Sequence, residues 1–196
     1  MQRKGFFIFL GIMLVIAVFL FTAYNGFIKR EEAVKLTWSE MQNNYQRRTD
    51  LVPNLVAIVQ GSANFEKQTL EQIAAARAKA TQLLGGTASY ENYTAQENAQ
   101  GELANTMNRL IALVEAYPEL KTTQAFIGLQ TQLEGTERRI KVARKDFNEQ
   151  VNQYNQSVRK FPSNLAAKLF GFKEKEGFKA TIGADQSPEV KFNFSK

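Results

Sequence analysis

TTQAFIGLQTQLEGTERRIKVARKDFNEQVNQYNQSVRK (Thr122–Lys160) decides the fold. Within it and just beyond, Phe126, Leu129, Leu133, Thr136, Ile140, Ala143, Phe147, Val151, Tyr154, Val158 and Phe161 follow one another in steps of three or four. All but Thr136 are apolar or aromatic, and the spacing predicts one helix with a heptad-like seam. At 1.5 Å per residue such a helix is about 58 Å long, so its domain is elongated. No helix buries an apolar stripe alone, so the seam demands partner helices.

The partners lie N-terminal to it. Leu103, Met107, Leu110, Val114 and Tyr117 repeat the rule over residues 98–117, and Pro118 helps end that helix. The alanine-rich stretch Phe65–Leu84 predicts a closely packing helix with Leu70, Ile73, Ala74, Ala80 and Leu84 on its inner face. Phe27, Val34, Trp38, Met41 and Tyr45 keep the spacing over residues 25–48, with Gly26 as a weak point. RRTDLVPNLV (Arg47–Val56) then predicts a break or kink near Thr49. Asp50 is placed to cap a new helix from Leu51 to about Gln60, and Pro53 falls in its first turn, where backbone N–H groups lack partners anyway. Gly61 and Ser62 suit a bend, and GGTASYENYT (Gly85–Thr94) reads as a loop. Phe161-Pro162-Ser163-Asn164 ends the longest helix. A short helix, Leu165–Phe170, starts from a Ser163 or Asn164 cap and stops at Gly171. The remainder lacks helical period, and its alternating Val190–Phe194 suits either a strand laid along the bundle or a loose end.

A second stretch fixes the setting. GFFIFLGIMLVIAVFLFTAY (Gly5–Tyr24) is an uncharged apolar run whose helix is about 30 Å long, the thickness of a bilayer's hydrocarbon core. It exceeds the apolar core of a cleaved signal, and a cut after Ala23 would put bulky Phe21 where a small residue is needed. With no cysteine in the chain to lipidate, a lipoprotein is excluded. Arg3 and Lys4 precede the run, and Lys29 and Arg30 follow it, so the basic flanks nearly tie. The short, purely basic N-terminus favours a signal-anchor with that end cytoplasmic and the bundle outside.

The expected architecture is therefore all-α. A short basic N-terminus (1–4) leads into a transmembrane anchor (5–24), an elongated antiparallel four-helix bundle (25–170) and a mostly irregular C-terminal tail (171–196) that packs on or trails from it.

Composition removes much chemistry. The chain has no His and no Cys, which excludes Ser-His-Asp and Cys-His nucleophilic sites, disulfides and His/Cys zinc sites. No phosphate-binding glycine loop and no calcium loop of the helix-loop-helix kind is present. No catalytic residue, cofactor or metal site is expected. Lys and Arg total 25 against 19 acids, with the excess in residues 119–196. That excess suits an anionic lipid or an acidic partner, or simply a solvated helix face.

RRTDLVPNLV, together with FEKQTLEQIAAARAKA (Phe65–Ala80), YPELKTTQAFIGLQTQLEGTERRIKVARKDFN (Tyr117–Asn148), QYNQSVRKFP and LFGFKEKEGFKA (Leu169–Ala180), resembles the LemA family. The resemblance runs in order through residues 24–194 and implies an N-terminal anchor followed by a four-helix bundle. It implies no reaction and no cofactor. Some relatives carry a lipoprotein cysteine near the position of Tyr24, from which this chain departs.

Three groups are candidate sites. Arg47, Arg48, Asp50, Pro53 and Asn54 form either a docking surface or a structural motif, with Asp50 capping, the arginines pairing with neighbouring helices and a buried Asn54 fixing register. Arg138, Lys141, Arg144 and Lys145 form a basic patch or a solvated face, and no aromatic platform for nucleic acid accompanies them. Phe170, Phe172 and Phe178, beside several lysines, form a membrane-interface contact or a cap on the bundle. Asn148, Asn152 and Asn155 suit either a polar ladder or solvent. The expected function is a single-pass, non-catalytic scaffold or adaptor for membrane or envelope proteins. A lipid-binding or membrane-shaping module is the alternative, and an enzyme using only carboxylate, Lys, Tyr and Ser groups a remote one.

Overall fold

The computed structural model describes residues 2–61, 67–85 and 90–178. Among them the order is α1 (Gln2–Gln60), α2 (Lys67–Gln82), α3 (Tyr90–Val114), α4 (Pro118–Lys121), α5 (Gln124–Arg159) and α6 (Ser163–Phe170), with no strand. The expected all-α class holds. Trp38 meets Phe147 and Arg48 meets Glu137, so α1 and α5 run antiparallel. Lys79 meets Glu102, and Gln96 meets Leu83, setting α2 against α3 in the same sense. Tyr93 meets Phe147 and Glu97 meets Arg144, which does so for α3 and α5. The result is an antiparallel bundle of α1, α2, α3 and α5.

The α5 seam behaves as its spacing demands: Phe126 through Val158 are buried, and the helix starts where Thr123 Oγ1 accepts from the Phe126 N–H. Phe161 lies beyond the helix and is exposed.

The expected break near Thr49 does not occur; α1 continues through Gly26, Thr49 and Pro53. Proline removes the N–H that would have bonded the carbonyl four residues back, normally a heavy cost inside a helix. Here that carbonyl belongs to Thr49, and Arg77 Nε of α2 donates to it at 3.1 Å. A neighbouring helix replaces the lost bond, so the helix persists. Asp50 consequently caps nothing; it lies exposed in mid-helix and accepts from Gln46 Nε2 at 2.7 Å. Pro53 and Asn54 are exposed, so Asn54 is not a buried register-fixing group.

Smaller corrections have similar causes. On α2 the buried face is Ile73, Ala76 and Ala80, while Ala74 is exposed. The stretch read as a loop turns helical at Tyr90, and Tyr93 is buried against Trp38 and Phe147. Ring burial there overrides the poor helix propensity of its Asn and Thr neighbours. Tyr117 leaves the α3 seam and is exposed. Helix α6 begins at Ser163 with Pro162 at its N-cap and no side-chain cap; the Ser163 hydroxyl instead donates backward to the Ser157 and Lys160 carbonyls, each at 2.8 Å. Gly171, with φ of 76°, ends α6 in the left-handed conformation that suits glycine. Val190–Phe194 lies outside the described residues.

Two cores are stacked along the bundle. One, nearer the apolar N-terminal run, contains Phe27, Trp38, Tyr45, Tyr93, Phe147, Tyr154 and Phe178. The other contains Leu55, Ile73, Leu103, Leu110, Leu129 and Leu133 with small Ala76, Ala80 and Ala99.

Candidate functional site

Between the cores the seams turn polar on three helices. Arg48, Thr49, Gln96, Gln100 and Thr136 are all buried. Arg48, 4% exposed, joins three helices: Nη2 donates to Glu137 Oε2 of α5 at 2.5 Å, and Nη1 donates to the Gln100 carbonyl and Oε1 of α3 at 3.1 and 3.2 Å. Gln96 Nε2 donates to the Leu83 carbonyl at the end of α2 at 2.5 Å. Arg48 Nε, Gln96 Oε1 and Gln100 Nε2 have no partner among the described residues. Buried polar atoms left unpaired cost stability. What such a layer supplies is register, because sliding any helix separates the guanidinium from its partners.

Of the first candidate group, then, only Arg48 turns inward. Arg47, Asp50, Pro53 and Asn54 lie on the outer surface. The basic group also divides. Arg138, Lys141 and Lys145 are exposed, with Arg138 near Glu134 at 3.7 Å. Arg144 turns toward α3, pairs with Glu97 at 2.7 Å and places its guanidinium 5.2 Å from the centre of the Phe178 ring.

The third group leads to a feature the sequence did not disclose. Residues 172–178 are extended and run back along α5. Asn155 Nδ2 donates to the Lys175 carbonyl at 2.7 Å, and Asn155 Oδ1 accepts from the Lys175 N–H at 2.8 Å. Asn148 repeats this on Phe178, at 3.1 and 2.8 Å. Each side-chain amide thus reads one residue's backbone donor and acceptor together. The registers match: Asn148 and Asn155 are about 10.5 Å apart along α5, and three extended residues cover about 10 Å. Tyr154 adds a hydroxyl donated to the Lys173 carbonyl at 3.0 Å. Asn152 is exposed and takes no part.

This strap fills the side of the near core. Phe178 lies among Trp38, Tyr93 and Phe147, with ring centres 6.1, 5.9 and 5.4 Å away. Phe172 packs on Phe27 and Tyr24, and Phe170 on Tyr24, at 5.0, 5.7 and 5.1 Å. Lys175 Nζ pairs with Glu31 at 2.9 Å. A Cβ on Gly177 would stand 2.6 Å from Asn148 Oδ1, so the clamp requires glycine there. Burial pushes the Tyr93 and Tyr154 hydroxyls up to about 12 and raises Tyr45 as well.

Grooves on the surface of the described residues include two between helices. One, about 290 Å³, lies between α1 and α5 and is lined by Glu40, Asn44, Arg138, Arg139, Val142 and Asp146. The other, about 410 Å³, lies between α2 and α3 beside Thr69, Gln72, Thr106, Arg109 and Leu113. The α1–α5 groove carries two carboxylates, Glu40 and Asp146, beside two arginines, and the α2–α3 lining carries none. Among the described residues no three Asp or Glu side chains come together as metal ligands would.

Comparison with known proteins agrees with this architecture. The LemA family profile matches residues 37–192. Two magnetosome proteins of Paramagnetospirillum magneticum (strain AMB-1), MamQ 1 and MamQ 2, are each 27% identical over 185 residues, covering 85% of this chain and 68% of theirs. Magnetosome protein MamQ of Magnetospirillum gryphiswaldense is 27% identical over 178 residues, covering 81% and 65%.

Proposed function

The chain belongs to the LemA family of membrane-associated helical proteins, and on that premise we propose that it is a single-pass, non-catalytic scaffold that presents a rigid bundle to other membrane or envelope proteins. The observation that carries this reading is α1. One helix, Gln2–Gln60, holds the apolar run at one end and the inward stripe of both cores at the other. Side chains of the run such as Phe7, Leu14 and Val15 are 68%, 66% and 69% exposed, as lipid-facing groups would be. From Phe27 onward one stripe is buried in protein. An anchor continuous with the core confines the bundle to two dimensions, which raises its effective concentration toward any neighbour in the membrane.

The binding face we assign is the open side of α1 and α5. Val142, 57% exposed, lines a groove bearing Glu40, Arg138 and Asp146, and Leu36, 64% exposed, precedes Glu40 by one turn of α1. Exposed apolar groups set among both signs of charge suit a protein partner. The relatives are named for an assembly, the magnetosome, and not for a reaction, which supports a structural role here. The basic N-terminal flank supports an extracytoplasmic bundle.

A photo-crosslinking amino acid at Leu36 or Val142, activated in native membranes, tests the binding face. A discrete heavier adduct from these positions and none from Lys67, 91% exposed on α2, is the expected result. Equal, diffuse labelling from all three would remove the α1–α5 face as a binding surface. Topology is tested by Asn152→Cys with a membrane-impermeant maleimide, the chain having no other cysteine. Labelling of intact cells is expected, and labelling only after lysis would reverse the orientation.

A further inference from the structure

Helix α6 has two apolar faces, and only one is used inside the molecule. Ala166 and Ala167 face inward, in the near core. Phe161, Leu165 and Leu169, each four residues from the last, are 80%, 59% and 67% exposed. Leu165 and Leu169 stack on one outward face of α6, since positions four apart stack along a helix face, and Phe161 is exposed in the turn that leads into it. Single exposed apolar residues are ordinary on a protein surface; three large ones within nine residues beside a membrane span are not.

Position identifies what covers the stripe. Helix α6 packs on α1. Of the apolar run, Phe19, Leu20 and Ala23 are the partly buried members, and they pack on the cluster that contains Ala166 and Ala167. Phe170 meets Tyr24, the last residue of the run, at 5.1 Å between ring centres. So α6 sits beside the final turn or so of the span, about 6 Å inside its end. A helix at that level has its outer side at the boundary between headgroups and acyl chains. Lys160, Lys168 and Lys173 are exposed around it, and lysine stems lie along apolar surface while their ammonium groups reach phosphates. Phe21, at the same level of α1, is 70% exposed.

We infer that α6, with Phe161, is an interfacial foot: a second contact with the lipid bilayer that α1 crosses, embedding Phe161, Leu165 and Leu169 at the level of the lipid glycerol and upper acyl groups. Two contacts, a span and a foot, fix the tilt and rotation of the bundle above the membrane. A span alone leaves it free to turn about its own axis. The inference rests on the reading of Gly5–Tyr24 as a transmembrane span.

The test uses the full chain in liposomes of phosphatidylcholine and phosphatidylglycerol. Spin labels are placed singly at Phe161→Cys, Leu165→Cys and Leu169→Cys, with Val15→Cys in the span and Asn152→Cys on the bundle as references. Collision with oxygen, which concentrates in lipid, is compared with collision with a water-soluble nickel chelate. The expected result is oxygen-dominated contact at the three foot positions, shallower than Val15 and opposite to Asn152. Nickel-dominated contact at the foot with oxygen-dominated contact at Val15 would overturn the foot and leave the span standing. Nickel contact at Val15 as well would overturn both. Protection from both reagents at the foot would show the stripe covered by protein, a second copy of the chain, and would overturn the lipid assignment.

Discussion

The two halves of the bundle solve one packing problem differently. Among the described residues, seven buried side chains of the core near the membrane are aromatic, and in the far core only Phe126 is. The far core is ringed by four helices, and Ala76, Ala80 and Ala99 let α2 and α3 come close. Near the membrane α2 has ended and only the first turns of α3 reach in, through Tyr93. There α1 and α5 stand with fewer helical neighbours, and large rings occupy the space that helices fill elsewhere. Dense packing is required in both halves, and side-chain size adjusts to the walls available. The missing wall is supplied by α6 and by the strap 172–178, whose backbone lacks the hydrogen bonds a helix makes internally. Asn148, Asn155 and Tyr154 provide them. Between the halves the Arg48 layer locks three helices at one level.

The sharpest break between the halves is Phe147→Ala. It removes a fully buried ring that touches Trp38, Tyr93 and Phe178, and a cost of about 3–5 kcal/mol is expected. Hydrogen exchange should show protection lost in the strap and the C-terminal half of α5 while α2 and α3 retain theirs. Uniform loss would mean the halves unfold as one.

Alkali should separate them next. Tyr93 and Tyr154 belong to the near core, with hydroxyls raised by burial to about 12. An unfolded tyrosine ionises near 10, so between those values the folded state holds more protons than the unfolded one. Their stabilising contribution is complete below about pH 10 and disappears as pH rises through about 12. Near-ultraviolet circular dichroism of the rings should therefore fade before far-ultraviolet helicity does. Simultaneous loss would contradict an alkali-sensitive near half.

Asn148→Ala strips the Phe178 backbone of both its amide partners, and a loss of about 1–3 kcal/mol is expected, confined to the strap. Gly177→Ala should resemble it, because its methyl group displaces the Asn148 oxygen. Amide exchange at Phe178 reads both; an unaltered rate in either would show that the clamp does not hold the strap. The smallest effect belongs to the far half. Arg77→Ala orphans the Thr49 carbonyl that Pro53 leaves free, for about 1 kcal/mol. Pro53→Ala in that background should recover it, since alanine returns an N–H to the same carbonyl. Thermal melts of the two variants check this, and no recovery would disconnect Arg77 from the proline.

What was legible in the sequence follows from where the signal lies. The α5 seam, the four long helices and the apolar run are repeats of apolar side chains, and repeats survive without knowledge of neighbours. The unbroken α1 was not legible, because Pro53 is tolerated only through Arg77, a residue distant in the chain. The strap was hidden for a related reason: its partners on α5 bind backbone, which carries no residue code. The spacing of Asn148 and Asn155 was visible, but nothing in 172–178 announces that it is the ligand. Arg48 stood out as a charge, whereas Gln96 and Gln100 look like surface residues. Aligning the polar interruptions of the seams, at Arg48–Thr49 and at Thr136, would have pointed to the buried layer.

One unbroken helix joining the span to both cores is the feature on which the rest depends. Spin labels at Lys29→Cys and Gln60→Cys, in the full chain reconstituted into nanodiscs, measure it by pulsed electron resonance. Both positions are exposed on α1. An unbroken helix predicts a single narrow distance of about 46 Å. A broad distribution centred well short of that value would mean that α1 breaks near Thr49, and the continuous link from anchor to far core would be lost.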